Sequence, residues 1–267
     1  MGFLSQMVEE TRKVISQPAY LAGLPVSSRP PARRGLRQAI LEAGGPGALL
    51  VEFKRVSPGS TAPALPAFSA DEFVRRAEPG GVSGYSCLAS TPRFEGSLTD
   101  VREVANATSR PVLFKDFVLD PVQLDAAARV GASAVLLIAR LETEGYLATP
   151  LTELARGAHA RGLEVLLEYH ERSELSRTAD VAADMHGVNV RDLDTLRMDP
   201  EIAISTLGAA RERRPLLGLS GVASPGDARR FWDAGVDGIL VGSAVARASD
   251  PGAFLRSLHR RPAGSGA

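Results

Sequence analysis

From residue 48 onward, short apolar runs alternate with longer segments of mixed polarity. The runs are ALLVEF (48–53), GYSCLA (84–89), PVLFK (111–115), SAVLLIA (133–139), EVLLEY (164–169), HGVNV (186–190), PLLGLS (215–220) and DGILVG (237–242). They are rich in branched side chains and too short for buried helices, so each predicts a strand covered on both faces. The segments between them carry helix signals. SLTDVREVANAT opens on Ser97, with Asp100 three residues later, a capping pattern. DPVQLDAAARVG has Pro121 early and Gly131 at its end, the usual asymmetry of helix ends. SPGDARRFWDAG repeats it, and RSELSRTADVA, DPEIAISTLGAARERR and DPGAFLRSLHRR predict further helices.

Eight strand–helix units in roughly 220 residues predict an α/β fold, a (β/α)8 TIM barrel. An open doubly wound sheet is the competing arrangement. No strand-linked G-x-G-x-x-G occurs, and the regular repetition favours closure. Residues 1–46 precede the first strand and read as an N-terminal helical extension lying across the barrel. The barrel is expected over 47–261, and a flexible tail over 262–267.

Composition narrows the class. Hydrophobic residues make up 44% and charged residues 23%, which fits a globular chain. The formal net charge is zero, so no global field draws nucleic acid or an anionic membrane. The lone cysteine, Cys87, excludes an internal disulfide framework and a Cys-rich metal site. No apolar run reaches the roughly 20 residues of a membrane span. The first residues read as an amphipathic helix rather than a signal peptide, so a cytoplasmic protein is expected. Of 31 basic side chains only three are lysines: Lys13, Lys54 and Lys115. Two of these stand at the ends of apolar runs. Lysine can release its proton where arginine cannot.

In such barrels the active site lies at the C-terminal strand ends. There the sequence puts Glu52 and Lys54, Lys115 with Asp116 and Phe117, Glu168, Asn189 with Arg191, Ser220-Gly221, and Gly242-Ser243. Glu52 and Lys54 share one strand face. Taken singly, each has a plainer explanation: Glu168 solvating a loop, Glu52 and Lys54 forming a structural ion pair, Asp116 capping a turn. For Asp116 the capping role is favoured. For the set, convergence on one mouth favours function, because burying charge is costly. Glycine and serine after the seventh and eighth runs match the usual phosphate site of these barrels, which predicts a phosphorylated small-molecule ligand.

VEFKRVSPGS, PVLFKDFVLDPVQLDAAARVGASAVLLIA, LEVLLEYH, GVNVRDLDTL and DGILVGSAVA resemble, in order and spacing, the indole-3-glycerol phosphate synthase family. The resemblance runs from about residue 45 to 255. It implies closure of the indole ring of 1-(2-carboxyphenylamino)-1-deoxyribulose 5-phosphate with loss of CO2 and water, without metal or organic cofactor. It implies Lys115 as the general acid and Lys54 as its partner at substrate and phosphate. Glu52 and Glu168 become the carboxylates that manage protons. Asn189 and Arg191 orient the substrate. Ser57, Ser220, Gly221, Gly242 and Ser243 fall at phosphate or substrate positions, and Phe94, Phe117, Pro58, Leu136 and Leu193 at the walls of the anthranilate ring. Monomer and homodimer both remain open.

The sequence departs from the family pattern at three places. Leu219 stands where a glutamate is usual before Ser-Gly. Cys87-Leu88-Ala89-Ser90 replaces a Val-Leu-Thr-Glu type of ending, and Gly59 replaces a serine. Two alternatives follow: a divergent homologue acting on a related aminoketose phosphate or substituted anthranilate adduct, and a catalytically weak phospholigand-binding or scaffold subunit.

Overall fold

Each predicted apolar run becomes one strand of a closed parallel barrel. In the computed structural model, which describes residues 2–25, 35–45, 47–56, 69–89 and 93–260, the strands are β1 (Ala48–Phe53), β2 (Gly84–Leu88), β3 (Val112–Lys115), β4 (Ala134–Ile138), β5 (Glu164–Tyr169), β6 (Met185–Asn189), β7 (Leu216–Leu219) and β8 (Gly238–Val241). They follow one another in chain order, and β8 pairs with β1. This closure rules out the open doubly wound sheet. Only β6 starts outside its predicted run, one residue early at Met185.

The helices are α1 (Phe3–Ile15), α2 (Leu36–Ala43), α3 (Ala70–Ala77), α4 (Leu98–Ala107), α5 (Pro121–Arg129), α6 (Ala139–Thr143), α7 (Leu151–Ala160), α8 (Arg172–Arg177), α9 (Pro200–Ala210), α10 (Pro225–Asp233), α11 (Ser243–Arg247) and α12 (Pro251–Leu258). The caps act as the sequence indicates. Ser97 accepts from the Asp100 N–H at 3.0 Å, and Asp120 with Gln123 forms a capping box. Gly131 and Gly235 end α5 and α10 at positive φ, 84° and 81°, a conformation that costs glycine little. Helices α3, α6, α7 and α11 come in addition to the predicted set. The last three start without a side-chain cap and so lack that signal.

Strand alternation divides the core in two. Outward residues such as Val51, Phe114, Leu167 and Ile239 pack under the helices. Inward residues such as Leu50, Leu113, Leu166 and Leu217 fill the barrel. The register shows how the inward side chains stack. Climbing one residue at each pairing leads from Glu52 to Lys115 on β3, Glu168 on β5, Leu219 on β7, and back to Glu52. These eight one-residue climbs are the stagger a (β/α)8 barrel requires. One layer therefore holds Glu52, Lys115, Glu168 and Leu219. By the same steps the even strands supply Leu88, Ile138, Asn189 and Gly242 just above it, and Ser86, Leu136, Gly187 and Leu240 just below. Beneath these lies a layer of four leucines, Leu50, Leu113, Leu166 and Leu217, all fully buried.

The N-terminal helices close the two ends. Helix α1 crosses the mouth at the C-terminal ends of the strands. Phe3 packs edge-on against Phe94, the Phe3 N–H donates to the Asp194 carbonyl, and Arg93 pairs with Glu10 at 3.0 Å. Helix α2 seals the opposite end. The Arg37 N–H donates to Glu164 at the start of β5. The Leu36 side chain lies over Gly84, where an added Cβ would come within 2.8 Å of it.

Candidate active site

The mouth of the barrel holds a cavity of about 600 Å³. Glu52, Lys54, Phe94, Lys115, Phe117, Leu136, Glu168, Asn189, Arg191, Leu193, Ser220, Gly221, Gly242 and Ser243 all line it. Every candidate residue within the described segments therefore reaches one space. Ser57 and Pro58 lie outside the described residues.

The Glu52 carboxylate sits between two ammonium groups, 2.8 Å from Lys54 Nζ and 3.7 Å from Lys115 Nζ. Burial pushes the Glu52 carboxyl up, but the two lysines outweigh that and hold it below its ordinary value. Gly242 makes room for the pair: a Cβ there would come within 2.8 Å of Glu52 Oε1 and 3.0 Å of Lys54 Nζ. Across the barrel, Glu168 has the opposite character. Burial drives its carboxyl above the ordinary value, Lys115 and the Asn189 hydrogen bond oppose this, and Glu174 and Glu52 add to it. The Asn189 amide donates to Glu168 Oε1 at 3.0 Å. Glu168 Oε2 is buried without a hydrogen-bond partner among the described residues. Two carboxylates four strands apart are thus pushed in opposite directions, the arrangement that separates proton donor from proton acceptor.

Asn189 also anchors the next turn, its Oδ1 accepting from the Arg191 N–H at 3.0 Å. The Arg191 guanidinium donates to the Leu196 carbonyl at 2.8 Å, which fixes the arginine at the rim. Asp116 does cap its turn. It accepts from the Phe117 N–H at 2.8 Å and from the Gln123 amide at 3.0 Å. Ser220 and Gly221 are both left-handed, φ 65° and 79°. For a serine this is uncommon, and such residues cluster at ligand sites. Gly242 and Ser243 open α11 beside them.

The apolar wall is longer than the sequence indicates. Phe94 and Phe117 stack obliquely, with centroids 6.4 Å apart, and Phe3 extends the row from α1. Phe3, Leu88, Ile138, Leu196, Met198 and Leu240 also line the cavity. Leu88, Ile138 and Leu240 were findable by counting in twos along their strands; Phe3 was not, because it comes from outside the barrel. Leu219, 1% exposed, also faces the cavity. It stands across the layer from Lys115, and its side chain fits against Gly187, where a Cβ would lie 2.7 Å from it. Cys87 points away from the cavity on β2, and burial pushes its thiol well up, leaving it inert. Among the described residues no group of three or more His, Cys, Asp or Glu could hold a metal ion, and no helix is long and apolar enough to cross a membrane.

The family model described as indole-3-glycerol phosphate synthase matches residues 4–258. The chain belongs to the indole-3-glycerol phosphate synthase family. Curated relatives of that name include one from Koribacter versatilis, 37% identical over 229 residues, covering 84% of this chain and 85% of the relative. One from Halobacterium salinarum is 42% identical, covering 65% of this chain and 66% of the relative. Indole-3-glycerol phosphate synthase 2 of Streptomyces coelicolor is 34% identical, covering 96% of this chain and 98% of the relative. Among solved structures, 3-hexulose-6-phosphate synthase from Salmonella typhimurium superposes with a TM-score of 0.59 at 16% identity, covering 79% of this chain and 96% of that one. Thiamine phosphate pyrophosphorylase from Pyrococcus furiosus gives 0.56 at 20%, covering 80% and 94%. At these identities the likeness concerns the fold alone.

Proposed function

We propose that this chain is the lyase its family is named for, closing the indole ring of 1-(2-carboxyphenylamino)-1-deoxyribulose 5-phosphate with release of CO2 and water. The observation that carries the reading is the catalytic layer. Lys115 and Glu52 face Glu168 across one cavity, Lys115 Nζ 3.7 Å from Glu52, with one carboxyl held low and the other driven high. The aryl ring lies against Phe94, Phe117, Leu136 and Leu193, and the phosphate at Gly221, Gly242 and Ser243, with Lys54 nearby. As the ring carbon bearing the carboxylate attacks the ribulose carbonyl, Lys115 protonates the carbonyl oxygen. Loss of CO2 restores the aromatic ring, and the new hydroxyl leaves as water. Glu168, whose carboxyl burial raises above its ordinary value, exchanges protons with the substrate, while Glu52 keeps both lysines in place. Asn189 orients Glu168, and Arg191 meets the substrate at the rim. A cytoplasmic setting, and action as a monomer or homodimer, go with this reading.

A second reading is favoured by one feature, the leucine at the fourth corner of that layer. Leu219 presents an apolar surface toward the substrate, which suits an adduct whose ring carries an apolar substituent. The test for both is direct. Indole fluorescence should appear when the purified chain meets the unsubstituted adduct, and Lys115→Met should lower the rate about 10² to 10⁴-fold without loss of the folded state. Turnover of that variant within tenfold of the parent would remove Lys115 from its role.

A further inference from the structure

Behind the Glu168–Asn189 pair lies a second charged cluster that the chemistry above does not use. Arg140, in the first turn after β4, has a side chain only 11% exposed. Its Nε donates to Glu174 Oε1 at 2.9 Å and its Nη1 to Asp192 Oδ2 at 2.7 Å. One planar cation therefore bridges two carboxylates from separate elements, α8 and the loop after β6. Each carboxylate also holds backbone. Glu174 Oε2 accepts from the His170 N–H at 2.6 Å, two residues past Glu168. Asp192 Oδ1 accepts from the N–H groups of Asp194 and Thr195, at 3.0 and 2.7 Å. His170 completes the ring. Its Nδ1 lies 2.9 Å from the Asn189 carbonyl, which only accepts, so Nδ1 carries the hydrogen; its Nε2 faces Asp192 Oδ2 at 3.4 Å.

The ring of Arg140, Glu174, His170 and Asp192 thus ties the ends of β5 and β6 together. Two carboxylates gathered this close, one of them fully buried, need a shared cation. The fork of an arginine serves both at once, which a lysine cannot do with the same geometry. We propose that Arg140 is a positioning residue: it clamps the strand ends and neutralises Glu174, so that the Glu168–Asn189 pair keeps its geometry and charge state. Its part in turnover rests on the lyase reading; its effect on Glu168 does not.

The groups facing Glu168 are Lys115 from β3, Glu52 and Lys54 from β1, Asn189 from β6 and Glu174 from α8, with Arg140, His170, Asp192 and Arg191 behind them. Glu174 already pushes the Glu168 carboxyl upward. Without Arg140 that push is uncompensated, so Glu168 should titrate at higher pH still.

The test uses Arg140→Met and Arg140→Lys in the full chain. Arg140→Met should lower kcat for indole formation about tenfold with KM near the parent's, and move the acid limb of the pH–rate profile upward; Arg140→Lys should recover part of both. A carboxyl-carbon NMR titration, with the Glu168 signal assigned by its loss in Glu168→Gln, reads the same shift without turnover. An upward shift in either folded variant supports the proposal. An unmoved Glu168 titration in the folded variants overturns it, whatever happens to stability. Absence of indole formation by the parent chain would sink the lyase reading, and the NMR titration would still decide the role of Arg140.

Discussion

Leu219 gives the layer of Glu52, Lys115 and Glu168 one apolar corner. Its three companions, Glu52, Lys115 and Glu168, are ionisable, and it faces Lys115 across the barrel axis. A pocket discriminates a group of methyl size by about 1–3 kcal/mol, or 10- to 200-fold. We therefore expect Leu219→Glu to lower, about tenfold, the ratio of kcat/KM for a ring-substituted adduct over the unsubstituted one. Steady-state kinetics on both adducts measure this, and an unchanged ratio removes any functional meaning from the leucine. At this scale the sequence was readable wherever period two applied: Glu52, Lys115, Glu168 and Asn189 fall on the inward parity of their strands and on one cavity. Arg140 was not readable, because its partners lie 34 and 52 residues away and no local pattern marks a bridging arginine.

Among the elements, β6 couples the two faces of the barrel wall. Asn189 points in and His186 points out. His186 stacks on Tyr169 with ring centroids 5.9 Å apart, and its Nδ1 lies 3.0 Å from the tyrosine hydroxyl. Burial, reinforced by Arg213, lowers its pKa to about 4, against about 6.5 in an unfolded chain. Between those values the unfolded chain takes up a proton that the native one refuses, so stability falls as pH drops from about 6.5 toward 4. Urea midpoints across that window should decline, and His186→Phe should flatten this part of the decline. An equal slope in the variant would assign the effect to other groups. The strands were legible because burial on both faces makes their runs predominantly apolar. Most helices were legible through their caps. Helices α6, α7 and α11 were not, since no side chain at their starts caps them.

For the molecule as a whole, closure follows from repetition: eight alike units leave neither edge unpaired. What the linear pattern does not contain is which strand ends meet across the axis, for that depends on the stagger accumulated around the ring. Nor does it say that α1 and α2, adjacent in sequence, close opposite ends. The stacked layers also separate two duties. Truncating the four-leucine layer, as in Leu166→Ala, should cost about 2–5 kcal/mol of stability while KM for the adduct stays within about twofold. Denaturant unfolding and steady-state kinetics on one preparation check this, and a large KM change would show that the layers are not separable.

That separation bears on inheritance. The leucine layer is a firebreak: an exchange in the storey above it alters the reaction while the barrel beneath stays standing. A lineage carrying this architecture can try new corners in the upper storey one at a time, and each trial leaves a folded descendant. Leu219 has the form of such a trial, neighbour to a glycine that leaves it room and placed at the top of the barrel's inner core. To the barrel it is one more buried leucine; only the molecule that enters the mouth can tell the difference.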